Sequence, residues 1–126
     1  MKRTFFSLAL LLAVATLTAQ TKMTAREAAV KIADRILAST TYEFKNTKTG
    51  EIYKSVKKLP LDMDVKVACK YNNWHYTNGV TNMALMELGD KLGDKKYEKY
   101  VLKNMNFVFN EGNLDFFRKQ YDEAFK

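Results

Sequence analysis

Residues 71–110 read YNNWHYTNGVTNMALMELGDKLGDKKYEKYVLKNMNFVFN, and the fold turns on what this run becomes. Val80, Met83, Ala84, Leu85, Met86, Leu88 and Leu92 recur at helical spacing and predict a helix over about 76–90. They fall on most sides of it, and a helix apolar nearly all round expects burial all round. Gly89-Asp90-Lys91-Leu92-Gly93-Asp94 then breaks the run. Gly89 or Gly93 is placed to cap the first helix, and Asp94 to cap the next. Tyr97, Tyr100, Val101, Met105 and Val108, with Asn104 on the same side, predict a second helix over 95–110. So short a link makes the pair an antiparallel αα-hairpin.

The head of the run is odd. It gathers the only tryptophan, Trp74, the only histidine, His75, and Tyr76 before an Asn78-Gly79 pair. Asn-Gly ordinarily marks a turn, not the first turn of a helix.

Downstream, Gly112 reads as a helix stop and Asn113 as the cap of a last helix over about 114–125. Its expected apolar stripe is Leu114, Phe117, Tyr121, Ala124 and Phe125. Upstream, Thr24-Ala25-Arg26-Glu27 is a capping box. Ala25, Ala29, Ile32 and Ile36, with Ala33 and Leu37, form one face of a helix over 25–39, small enough for close packing. Residues 42–56 alternate roughly with period two around the turn-forming run Asn46-Thr47-Lys48-Thr49-Gly50, which predicts a short β-hairpin or extended excursion. Pro60 then blocks regular pairing. Asp62 and Asp64 lie close together, but two carboxylates without a third ligand read as a solvated loop rather than a metal or acid–base site. No metal or cofactor is expected.

Residues 1–19 have the pattern of a secretory leader: Lys2 and Arg3, the apolar run Phe5–Leu17, and Leu17-Thr18-Ala19 as a cleavage site. The apolar run is too short to span a bilayer. The expectation is a mature chain starting at Gln20, secreted or periplasmic, with no membrane segment after cleavage. Without Lys2 and Arg3 it carries 19 basic and 14 acidic residues, a net charge of +5. One lysine group is Lys54, Lys57 and Lys58. The other, Lys91, Lys95, Lys96, Lys99 and Lys103, alternates with Asp90, Asp94 and Glu98 as a solvated helix face does. With no nucleic-acid module present, no nucleic-acid partner is expected. Cys69 is the sole cysteine, so no internal disulfide forms, and a buried thiol is the simplest reading.

The order of a capped helix, a long loop, the 71–110 run and then NLDFFRKQYDEAFK (113–126) closely resembles the N-terminal part of the secreted unsaturated glycuronyl hydrolases of the unsaturated rhamnogalacturonyl type. The most specific parts are Trp74-x-Tyr76-x-Asn78-Gly79 and the Gly93-Asp94-Lys95-Lys96-Tyr97 link. The resemblance implies an all-α fold, the first part of an (α/α)6 barrel of six helical hairpins, with residues 20–126 as a partial glycosidase domain. It implies an activity that releases a terminal 4,5-unsaturated uronic acid from pectin-type oligosaccharides by hydrating the double bond. It places Tyr76 at the sugar pocket, Trp74 as a second wall or rim prop, and Asn78 beside them. Gly79 would let the helix start approach a neighbouring backbone.

The same two rings would equally serve as a plug for the end of the hairpin core. His75, with no carboxylate partner nearby in sequence, reads as structural rather than catalytic. The family's acids lie in Leu-Asp-Asp-x-Gly and Trp-Ala-Asp-Asp segments that this sequence lacks, and Asp115 does not match them. The catalytic residues are therefore unknown, and a truncated chain, inactive alone, is expected. The alternative is a small secreted helical module that binds sugar or protein without catalysis.

Overall fold

The computed structural model describes residues 23–126. The leader assigned to residues 1–19 lies outside them. Among the described residues the chain is mostly helical, with one small antiparallel sheet. In order, α1 is Ala25–Ser39, β1 Phe44–Asn46, β2 Ile52–Tyr53, a 3-10 turn Val56–Lys58, β3 Val65–Val67, α2 Tyr76–Leu92, α3 Lys95–Val108 and α4 Glu111–Ala124. None of the described helices is long and apolar enough to cross a membrane.

The capping box forms as the sequence requires. The Thr24 hydroxyl accepts from the Glu27 amide at 3.2 Å, and the Glu27 carboxylate accepts from the Thr24 amide at 2.8 Å. At the other end of the hairpin, Gly93 takes the left-handed conformation, with φ 66°, and caps α2. Asp94 caps α3 by accepting from the Lys96 amide at 3.0 Å.

Gly89, the other candidate stop, lies inside α2. A Cβ there would sit 3.2 Å from the Asp94 carbonyl oxygen and 3.3 Å from Tyr97 Cβ, so this glycine sets how closely α2 and α3 approach. The partners run in opposite directions: Gly89 faces Tyr97, Asn82 bonds Asn104, and Trp74 packs on Phe109. The hairpin is therefore antiparallel, as expected.

Four sequence expectations need correction. First, α2 is not buried all round. Its inward line is Asn78, Asn82, Leu85 and Gly89, while Val80 is 60% and Met83 74% exposed. Second, α4 starts earlier. Asn110 is its cap, accepting from the Gly112 and Asn113 amides, so Gly112 lies in the first turn and stops nothing. Third, α4 buries Asn113, Phe116 and Gln120 rather than the expected stripe; Tyr121 and Phe125 stack on each other in solvent at 4.4 Å. Gln120 decides that rotation, because its amide donates to the carbonyls of Val65, at 2.9 Å, and Asp62. Fourth, the excursion contains a third strand. β1 is central, pairing with β2 (Phe44 opposite Tyr53) and with β3 (Phe44 opposite Val67). The strand is short, and Lys66 between two valines gave it only one period of alternation.

Two apolar clusters result. Ala33, Leu85, Tyr97, Tyr100 and Val101 join α1 to the hairpin. Phe44, Val65 and Phe116 join the sheet to α4, with Phe107 and Phe117 beside them. A polar tie reinforces the first: Tyr97 donates to Asp34 at 2.9 Å, and Lys96 pairs with the same carboxylate at 2.9 Å. The hydrogen bond from Lys96, then that from Tyr97, holds Asp34 below its ordinary range.

A depressed carboxylate contributes stability above its unfolded pKa of about 4, and that contribution disappears as pH falls through the lower folded value. Acid unfolding monitored by circular dichroism should therefore show a shallower loss of stability below about pH 4 in Asp34→Asn than in the parent. The glycines should separate too. Gly79→Ala, which meets no atom within 4 Å, should gain up to about 1 kcal/mol in urea unfolding. Gly89→Ala should instead lose about 1–3 kcal/mol through overpacking.

Candidate functional site

The three residues singled out for the sugar pocket do come together. Trp74, Tyr76 and Asn78 line one cleft of about 270 Å³ at the N-terminal end of α2, with Gly79, Asn104 and Phe109. Their roles differ. Tyr76 is 80% exposed and Trp74 61%. Rings so exposed plug nothing, so the core-plug alternative does not describe them. Trp74 stands edge-on to Phe109 at 5.6 Å, and Tyr76 stacks on His75 at 5.1 Å.

His75 caps α2. Its Nδ1 accepts from the Thr77 amide at 3.4 Å and lies 2.8 Å from the Thr77 hydroxyl. It anchors the helix start and supports the Tyr76 ring.

Asn78 turns inward. Its amide nitrogen donates to the Lys70 carbonyl at 2.9 Å, the Asn73 carbonyl at 3.1 Å and the Asn73 side-chain oxygen at 2.6 Å. That explains an Asn-Gly pair in the first turn of a helix: the asparagine folds the preceding loop back onto it. Gly79 corrects an expectation. No neighbouring backbone approaches it, since an added Cβ would meet nothing within 4 Å. Its lack of a side chain keeps the cleft open instead.

Beneath the rings lies a layer that the sequence reading did not assemble. Asn104, fully buried, donates to the Tyr71 carbonyl at 3.0 Å and to the Asn82 oxygen at 3.1 Å. Asn82 donates onward to the Met105 sulfur at 3.6 Å. Asn72 donates to the Thr41 carbonyl at 2.6 Å. The side-chain oxygens of Asn72 and Asn104 are buried without a partner. The sequence signal was present in the Asn78–Asn82 spacing of one helical turn and in Asn104 on the inward face of α3, but asparagine is not a core residue by composition.

The remaining candidates are structural. Asp62 accepts from the Asp64 amide at 2.9 Å and from the Asn46 amide at 3.2 Å; the Asp64 amide is the main reason its carboxyl is held low. Asp64 pairs with Lys48 at 2.6 Å. Among the described residues no three potential ligands gather around a metal position. Cys69 is free and buried, its sulfur accepting from the Tyr71 amide at 3.4 Å. Asp115 pairs with Arg118 and Lys119, both at 2.6 Å, and Lys119 foremost holds it low. A carboxyl kept ionised in this way is the opposite of a general acid poised near neutral pH.

No family model, curated protein or solved structure matches this chain.

Asn78→Ala should leave the Lys70 carbonyl without its donor, while the Asn73 carbonyl keeps the His75 amide, at a cost of about 1–3 kcal/mol in chemical unfolding. Amide exchange should accelerate first in residues 70–76. Exchange that quickens equally in α4 would show that Asn78 does not act on this loop.

Proposed function

We propose that this chain supplies part of the sugar-binding face of a secreted or periplasmic glycoside hydrolase acting on 4,5-unsaturated uronyl oligosaccharides of the pectin type. The observation that carries the proposal is the pair of solvent-facing rings, Trp74 and Tyr76, at an open cleft with no side chain at Gly79. A flat ring offers an apolar surface to the C–H face of a sugar, and the Tyr76 hydroxyl adds a hydrogen-bonding group at its edge.

The barrel architecture belongs to the same proposal. A groove of about 460 Å³ between α1 and α2, lined by Ile32, Ile36, Val80, Ala84 and Leu88, faces solvent. A further helical hairpin would cover it. Turnover needs an acid that protonates the double bond while water adds at C5. Asp115 is held ionised, and the sequence lacks both of the family's acidic segments. The chain alone is therefore a binding surface rather than a catalyst. The second reading, a self-sufficient helical module, is favoured by one observation: each described helix has a side-chain cap at its N-terminus.

Titration with a 4,5-unsaturated uronyl disaccharide should shift the Tyr76 ring resonances saturably, with no loss of the sugar's ultraviolet absorbance. Tyr76→Phe should weaken binding by about 0.5–1.5 kcal/mol through the lost hydroxyl. Tyr76→Ala should abolish the sugar-induced shift in the resonances of the Trp74 ring, which lines the same cleft, without lowering the melting temperature. An unperturbed Tyr76 at millimolar sugar would sink the proposal. A monodisperse monomer with one cooperative unfolding transition would favour the module over the open barrel piece, whose exposed groove should drive self-association.

A further inference from the structure

Trp74 has two faces of interest. Besides the cleft it shares with Tyr76, it walls a second cleft of about 530 Å³ between β3 and α4. The floor there is apolar, from Val65, Val67 and Phe117, and the rim carries Lys66 and Arg118. Its charge is unbalanced on both sides. Lys66 sits directly opposite Lys45 across the β1–β3 ladder. Like charges in that position are destabilising, and neither lysine has an acidic partner among the described residues. Arg118 and Lys119 share one carboxylate, Asp115, which leaves one positive charge in excess.

We propose that this second cleft binds a carboxylate-bearing oligosaccharide that continues over Trp74, so that the tryptophan is the shared wall of two adjoining sugar positions. This rests on the reading of Trp74 as a sugar-stacking ring. The chemistry is complementary at each point. Trp74 and Phe117 take the C–H faces of pyranose rings. Arg118 presents a planar fork to a uronate carboxylate, and Lys66 a point charge. An anion beside Lys66 offsets its repulsion with Lys45. A neutral oligosaccharide would gain the stacking alone, and an acidic peptide the ion pairs alone. The ligand implied is therefore an acidic glycan longer than a disaccharide.

Trp74 is the sole tryptophan and walls both clefts, so its emission reports a ligand in either, and the charge reversals tell the two apart. An oligogalacturonate longer than a disaccharide, added to the full-length protein, should change that emission saturably, and added salt should weaken the response. Lys66→Glu and Arg118→Glu should each weaken binding by about tenfold or more. Lys66→Glu also removes the like-charge pair, so its circular dichroism and melting temperature should match or exceed the parent's, and a lost response cannot be assigned to unfolding. Tyr76→Ala, which removes a ring of the first cleft only, should weaken oligogalacturonate binding less than either charge reversal, while both charge reversals should leave disaccharide binding in the first cleft nearly unchanged. An unchanged emission at millimolar oligogalacturonate would overturn the proposal. So would equal binding of a neutral oligosaccharide of the same length, or of polyglutamate, or full binding by both charge-reversed variants.

Discussion

Carbonyl groups of an irregular loop packed against helices need donors, because an unpaired buried carbonyl costs about as much as a lost hydrogen bond. Here side-chain amides supply many of the donors, beside backbone amides such as His75 to Asn73 and Val65 to Asp62. Asn78 reaches back to Lys70 and Asn73, Asn104 to Tyr71, and Asn72 to Thr41. The same device recurs at the other end of the molecule, where Gln120 holds Asp62 and Val65 and Asn113 holds Phe107. Among the described residues the seven buried polar ones are six asparagines and one glutamine, with no charged group among them. An amide suits the task because it donates and accepts without the desolvation penalty of an ion.

This constraint also sets up the aromatic face. With residues 70–73 pinned from below by α2 and α3, the chain enters α2 at His75 in an extended conformation. That entry turns Trp74 and Tyr76 outward while Asn78, two residues on, turns inward. The rings are exposed because the asparagines beneath them are committed to the backbone. A leucine at 78 or 104 would bury more apolar surface and leave the loop carbonyls stranded, trading a defined loop for a looser core.

The apolar surface of α2 follows from the same arrangement. Its inward line is occupied by Asn78, Asn82 and Gly89 together with Leu85, so Val80 and Met83 fall on the outside. Its inner line is largely polar because Asn78 serves the loop and Asn82 bonds α3, while Val80, Ala84 and Leu88 face the groove beside α1.

The local signals in the sequence were sufficient wherever one residue type has one strong use. Thr24 with Glu27 marked the start of α1, Asp94 marked the start of α3 and Asn46 to Gly50 the turn between β1 and β2, whereas the choice of Gly93 over Gly89 as the cap of α2 came from the packing of Gly89 on Tyr97. The convergence of Trp74, Tyr76 and Asn78 on one cleft was also legible, since they lie within five residues. Tertiary structure decided what depended on partners far along the chain. Which face α4 buries is set by backbone carbonyls at Asp62 and Val65, more than fifty positions away. β3 exists because β1 offers it an edge. Asparagine was the least legible residue: it can cap, turn or bind ligand with equal local propensity, and only the position of a stranded carbonyl in space selects among those uses.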